Sequence, residues 1–169
     1  MRSRRTAALL LLVSLTGCRD AQQDAAATLE GSGIATELSV AGEVTRVDAT
    51  EASLPDGFWA TLTRFPELKT LILTSVEISD RNLASLDNFE NLESLDLSYT
   101  DVSSVGLGHL TRLSGLRDLA LNGVTIDEDG LQSLCQMRQL RSLAIVETNL
   151  TDEQIQQLQP KLGGCLVAK

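Results

Sequence analysis

The chain has 169 residues, 14 of them Lys or Arg and 23 Asp or Glu, for a formal charge of −9, with one histidine, three cysteines and 3% aromatic residues. So acidic a chain is repelled by nucleic acid and by anionic headgroups, which excludes both as partners held by surface charge. No C-x-x-C pair and no H-E-x-x-H helix occurs, so neither a structural zinc site nor a metalloprotease site is written in the sequence.

Residues 1–17 carry Arg2, Arg4 and Arg5, an apolar run from Ala7 to Leu15, and the small residues Thr16 and Gly17 before Cys18. This is the layout of a secretory signal peptide. The apolar run is too short to span a bilayer, which takes about 20 residues. Leu15-Thr16-Gly17-Cys18 resembles the lipobox of bacterial lipoproteins. That resemblance implies acylation of Cys18 through its sulfur, with Cys18 as the first mature residue. The alternative is an ordinary signal peptide with a stray cysteine. Several acyl chains on one residue would anchor stably, where a single chain binds marginally. By the same resemblance, Arg19 in place of an aspartate implies delivery to the outer membrane if the source has two, although Asp20 comes next. Removing residues 1–17 takes three basic side chains and no acidic one, so the formal charge falls to −12. Lipid, not surface charge, is then expected to hold the protein at the bacterial cell envelope.

Residues 18–33 read as a lipidated N-terminus and tether. Residues 19–33 are rich in Ala, Gln, Asp and Gly, with Leu29 the one large apolar side chain, and end in Gly31-Ser32-Gly33. A flexible coil is expected there, about 15 residues spanning roughly 20 Å, from which the domain would hover above the lipid. Ile34, Thr36, Leu38 and Val40 then alternate with polar or small residues, and Val44 to Val47 resume the alternation after Ala41-Gly42-Glu43. The pattern predicts a β-hairpin, with residues 34–43 as an N-terminal cap over an otherwise open sheet edge.

From Val44 onward the chain is periodic. Leu92, Leu95, Leu97, Val102, Leu107, Leu110 and Leu113 recur 24 residues on as Leu116, Leu119, Leu121, Ile126, Leu131, Leu134 and Met137. They recur 24 residues back as Leu68, Leu71, Leu73, Ile78, Leu83, Leu86 and Phe89. Further steps reach Val44 and Leu140, which gives five repeats over residues 44–163 and a stacked array. Each opens as L-x-x-L-x-L, a strand with one buried face, and closes with apolar residues three apart, a helix with one buried face. Between them lie helix starts. Thr151-Asp152-Glu153-Gln154 has the form of a capping box, Ser79-Asp80 and Asp127-Glu128-Asp129 repeat the chemistry, and Pro55 marks the first repeat. Residues 164–169, with Cys165 as a small buried hydrophobe in place of an opening leucine, are expected to form a C-terminal capping strand.

These residues resemble the leucine-rich repeat family, L-x-x-L-x-L-x-x-N/C-x-L, at every position but the Asn/Cys site, held here by Ala52, Val76, Thr100, Val124 and Thr148. The resemblance is to a 24-residue bacterial subtype with Thr or Val at that site. It implies an α/β solenoid, a short arc with parallel strands on the concave face and helices on the convex face. It also implies binding of protein or peptide through the concave face; the chain itself reads as a monomer, without enzyme activity or cofactor.

No catalytic constellation accompanies the repeats. His109 lies between Leu107 and Leu110 with no nucleophile at a recognisable spacing, and Gly106-Leu107-Gly108 is no phosphate loop. A Cys135–Cys165 disulfide is open on chemistry but poorly placed by the register. The outward positions of the strands are mostly small; the exception is Asp96, Tyr99, Asp118 and Asn122. These four are the candidate partner-binding group, suited to a basic side chain or amine, with decoration of a solvated sheet as the alternative. Calcium between Asp96 and Asp118 is a poor fit, because that ion wants six to eight oxygens. Function therefore reads as a non-catalytic binding module, against an envelope spacer without a ligand or an adaptor that recruits an enzyme.

Overall fold

The computed structural model describes residues 20–169; the expected signal peptide, and with it Cys18 and Arg19, lies outside the described residues. Residues 20–31 form helix α1, and a seven-stranded sheet succeeds it in simple chain order, β1 to β7. Its strands are β1 (Ala35–Leu38), β2 (Val44–Asp48), β3 (Thr70–Ile72), β4 (Ser94–Asp96), β5 (Asp118–Ala120), β6 (Ser142–Ala144) and β7 (Leu166–Ala168). Strand β1 pairs antiparallel with β2, and every later pairing is parallel. Between the parallel strands lie α2 (Phe58–Leu62), α3 (Asp80–Ala84), α4 (Ser104–Leu110), α5 (Glu128–Gln136) and α6 (Asp152–Leu158), with 3-10 turns at Ser85–Asn88 and Gln159–Leu162. The fold is an α/β leucine-rich repeat solenoid, a short arc of parallel strands backed by helices.

The register is the repeat made visible. Leu71 stands beside Leu95, Leu95 beside Leu119, and Leu119 beside Leu143, each 24 residues from the last. These leucines and the second set, Leu73, Leu97, Leu121 and Ile145, are buried between sheet and helices. The ladder outlasts the strands: the amides of Ser75, Tyr99 and Gly123 donate to the carbonyls of Ser98, Asn122 and Val146 at 2.7 to 2.9 Å. At the Asn/Cys site, the Thr100 and Thr148 hydroxyls donate to the carbonyls of Leu97 and Ile145 at 2.7 and 3.0 Å. Val76 and Val124 lack that donor and instead bury their side chains while their amides close the same turn.

The helix starts hold adjacent repeats in step. Thr151 and Gln154 form the reciprocal capping box, with Thr151 N–H donating to Gln154 Oε1 at 2.9 Å and Gln154 N–H to Thr151 Oγ1 at 3.3 Å. Asp80 accepts from the amide and hydroxyl of Ser103 one repeat on, and Asp127 accepts from the hydroxyl of Ser104 and the amide of Gly130. The first repeat departs from expectation: α2 begins at Phe58 behind a Gly57 cap, three residues after Pro55, whose carbonyl accepts the Phe58 amide.

Two expectations for the N-terminal side are corrected. Residues 20–31 are not a coil but a docked helix, with Gln22, Ala25, Ala26 and Leu29 buried at the spacing of one helical face. Gly31-Ser32-Gly33 is its stop: Ile34 N–H donates to Leu29 O and Gly33 N–H to Glu30 O, with Gly33 at φ +81° and Leu29 packed with Ile34. That is a Schellman motif, which needs a residue comfortable in the left-handed region where glycine sits. The hairpin alternation is only half used. Ile34 is buried, but Leu38 and Val40 are exposed, and α1 supplies the apolar cover instead.

At the other end, Cys165 is buried and its amide bonds Leu162 O, as the Leu140 amide bonds Met137 O. It thus takes the place of an opening leucine, and β7 pairs with β6 beyond it. Cys135 and Cys165 are free thiols. Burial, with the Asp118 carboxylate adding to it, pushes the Cys165 thiol above its ordinary value.

Candidate functional site

The concave face is built from the third and fifth positions of the repeats, which project from the sheet away from the leucine core. Along the third position run Arg46, Thr70, Ser94, Asp118, Ser142 and Leu166, and along the fifth Asp48, Ile72, Asp96, Ala120, Ala144 and Ala168, each in register with its neighbour. Asp96 pairs with Ala120 and Ser94 with Asp118, so the two carboxylates stand on adjacent strands at diagonal positions of one face. Small neighbours leave them open from above.

The four predicted residues do different things. Asp96 Oδ1 accepts the Ser98 amide at 2.8 Å, which braces the end of its own strand. Asp48 does the same in the first repeat with the Thr50 amide and hydroxyl, at 3.1 and 2.7 Å. Asn122 is a tie between strands. Its amide nitrogen donates to Ser98 Oγ at 3.1 Å and its Oδ1 accepts the Val146 amide at 2.9 Å. Asp118 is exposed to solvent.

Tyr99 stands apart, on the turn after the strand. Its residue position, the eighth, is left-handed in all five repeats: Glu51, Ser75, Tyr99, Gly123 and Glu147 have φ of 56° to 70°. Side chains leaving from that conformation form a crest along the edge of the concave face. On it the Tyr99 ring lies over Gly123, where an added Cβ would stand 2.5 Å from Tyr99 Cδ1. Its hydroxyl donates to Glu147 Oε2 at 3.1 Å, across two repeats and 48 positions of sequence. This hydrogen bond, and the negative charge behind it, raises the phenol above its ordinary value. Tyr99 nevertheless remains 52% exposed, and Val146 is exposed as well.

Two of the four residues, Asp96 and Asp118, are therefore brought together on the strand face, Asn122 joins that face to the crest, and Tyr99 belongs to the crest. Glu147, Gly123 and Val146 are members of the group that strand alternation alone does not select. Their signal in the sequence is the 24-residue spacing of the eighth position, which lines Tyr99 up with Gly123 and Glu147, and of the seventh, which lines Asn122 up with Val146.

The opposite edge of the face is charged differently. Lys69 Nζ pairs with Glu93 Oε1 at 2.9 Å, and with Arg117 and Arg141 nearby it holds the Glu93 carboxyl below its ordinary value. Glu90, Asn91, Glu93, Gly115, Arg117 and Arg141 line a shallow cleft there. Among the described residues no group of three or more His, Cys, Asp or Glu side chains is placed to hold a metal ion, and no helix is long and apolar enough to cross a membrane.

No family model and no curated protein matches the sequence. Among solved structures, the chain is similar to an internalin from Listeria monocytogenes, at 21% identity and a TM-score of 0.49, over 64% of this chain and 29% of that one. It is similar to a leucine-rich repeat protein from Leptospira interrogans, at 19% identity and a TM-score of 0.48, over 64% of this chain and 27% of that one. A third likeness is to internalin C2 from Listeria monocytogenes, at 12% identity and a TM-score of 0.41, over 87% and 81% of the two chains. The chain spans less than a third of the length of the first two. The fold assignment rests on this chain's own register, in which each strand pairs with the one 24 residues on through five repeats.

Proposed function

We propose that this chain is a non-catalytic binding module of the bacterial cell envelope, anchored by lipid at Cys18, whose concave face and turn crest receive a protein or peptide partner. The observation that carries the reading is Tyr99: half exposed, yet fixed by a left-handed backbone, by Gly123 beneath its ring and by Glu147 at its hydroxyl. An aromatic that is already immobile loses little conformational entropy when a partner covers it. With Asp96 and Asp118 on the adjoining strands, the surface suits a partner that brings a basic side chain or an amine, and its hold should weaken with salt. The resemblance of residues 15–18 to a lipobox supports the anchor, and Arg19 supports outer-membrane delivery where there are two membranes.

The test is capture of partners from solubilised envelopes on a soluble form that begins after Cys18. One dominant partner is expected, retained by an Arg112→Ala variant on the helical side and lost by a Tyr99→Ala, Asp118→Asn double variant that still unfolds cooperatively. Capture of the chain by itself alone would mark it as a spacer, and loss through Arg112 with retention by the double variant would move the site to the convex face. Intact-mass analysis of the mature wild-type protein checks the anchor separately: an unmodified Cys18 rejects it, and Cys18→Ser is expected to give an unprocessed or soluble protein.

A further inference from the structure

The end of the domain at which the described residues begin carries an apolar point that no described residue covers. The hairpin between β1 and β2 turns through residues 39–43, closed by Ser39: its amide donates to Glu43 O at 2.8 Å, its carbonyl accepts the Gly42 amide at 2.9 Å, and its hydroxyl accepts the amides of Ala41 and Glu43 at 3.2 Å. At the apex of this closed turn Val40 is fully exposed, and Leu38 beside it is exposed as well. Elsewhere along the same alternation Ile34 is buried, so the chain places apolar side chains here where no core receives them.

Helix α1 fixes where this point lies relative to the anchor. Leu38 pairs with Val44, whereas Ala35 pairs with Asp48, so the turn is at the Val44 end of the hairpin. Gln22, near the start of α1, accepts the Val44 amide through Oε1 at 3.3 Å, while Leu29 and Ile34 meet at the far end of the helix. The first turn of α1 and the apolar apex therefore lie at the same end of the molecule. The chain is already helical at Asp20, and two residues reach at most about 7 Å.

We propose that the hairpin apex, Leu38 and Val40, is a membrane contact that inserts into the bilayer to which Cys18 is anchored and sets the orientation of the solenoid on it. The proposal rests on the lipid-anchor reading. A docked α1 leaves no slack for the domain to hover, so this end is pressed to the lipid, where two exposed aliphatic side chains find an apolar phase. Asp20, Asp24 and Glu43 at the same end favour a zwitterionic surface over an anionic one.

The test uses the full lipidated chain on phosphatidylcholine vesicles with and without brominated acyl chains. Flotation is scored first. Wild type carries Trp59 alone, on the α2 helix, and its emission should be unchanged by bromine. A Val40→Trp variant should shift to the blue and lose most of its added emission, while Leu166→Trp, on the last strand, should lose none. Flotation with an unquenched Val40→Trp, or with quenching at Leu166→Trp instead, overturns the membrane contact and leaves the anchor standing. Failure to float, with Cys18 unmodified by mass, overturns the anchor and the contact together.

Discussion

At the scale of single residues, the eighth position of the repeat explains both the cost and the use of the crest. Left-handed backbone costs an ordinary residue roughly 1 to 2 kcal/mol, and four of the five repeats bear it because the turn is held by amides on both sides. Gly123 bears no such cost, and its missing Cβ is also what lets the Tyr99 ring lie flat toward Glu147. Tyr99 is the chain's one tyrosine, so its titration can be followed by ultraviolet absorbance without interference from another phenol. The phenol is expected to ionise above its ordinary value, because ionisation forfeits the bond to Glu147 and sets two negative charges together. A Glu147→Gln or Gly123→Ala change should return the midpoint toward about 10. An unmoved midpoint in both variants would show that the ring does not rest on Gly123 and Glu147. Because the folded phenol titrates higher than the unfolded one, this bond's stabilisation is present below the unfolded value and disappears as pH rises through the folded one.

At the scale of elements, the strands and α1 are held by different means and should fail differently. Leu95 and Leu119 are buried in the centre of the ladder, and Leu→Ala at either should cost on the order of 2 to 5 kcal/mol in denaturant unfolding. Ser94→Ala, on the outward face of the same strand, should be nearly silent; equal sensitivity at Leu95 and Ser94 would contradict the register. Helix α1 has no large apolar stripe. Its buried face is Gln22, Ala25, Ala26 and Leu29, small enough to read as linker composition. Ala25→Pro removes an interior helical hydrogen bond and should cost about 3 kcal/mol or more. A coil at residues 20–31 would tolerate the same change, so an unaltered unfolding curve would mean that no helix caps this end.

At the scale of the whole molecule, four carboxylates of this acidic domain, Asp48, Glu93, Asp127 and Asp152, are held in the ionised form by local hydrogen bonds and ion pairs. Burial opposes ionisation of Asp48, but the Thr50 hydroxyl and amide and the Arg46 guanidinium outweigh it and hold the carboxyl low. Glu93 is held low by Lys69, Asp127 by the Ser104 hydroxyl and the Gly130 amide, and Asp152 by Lys169. In each case the folded value lies below the unfolded one, so the stabilisation is complete above the unfolded carboxylate range near about 4 and is lost as pH falls through the lowered folded values. Thermal unfolding should therefore show a plateau through neutral pH and a decline below about pH 4. An Asp48→Asn, Asp127→Asn double variant should decline less steeply, and Asn still serves as a helix cap at residue 127. An identical acid limb in the variant would assign the decline to other groups.

The solenoid was legible without coordinates, because in a stacked array each residue's neighbours are its own copies 24 positions away. Strand register, buried leucines, the Thr151 capping box and the outward row from Arg46 to Ser142 all follow from that arithmetic. Cys165 was legible for the same reason, as a substitute for an opening leucine. The repeat does not extend to residues 20–31, and there composition pointed to a coil where a helix stands. Those residues have too little apolar surface to fold alone, and their helix exists because the finished end of the solenoid gives Ala25, Ala26 and Leu29 something to pack against and Val44 an amide for Gln22 to bind. The grouping of Tyr99 with Glu147 likewise depends on the folded chain: alternation places side chains on strands, but a left-handed turn re-aims them along the stack, and only the assembled crest shows which acid the phenol meets.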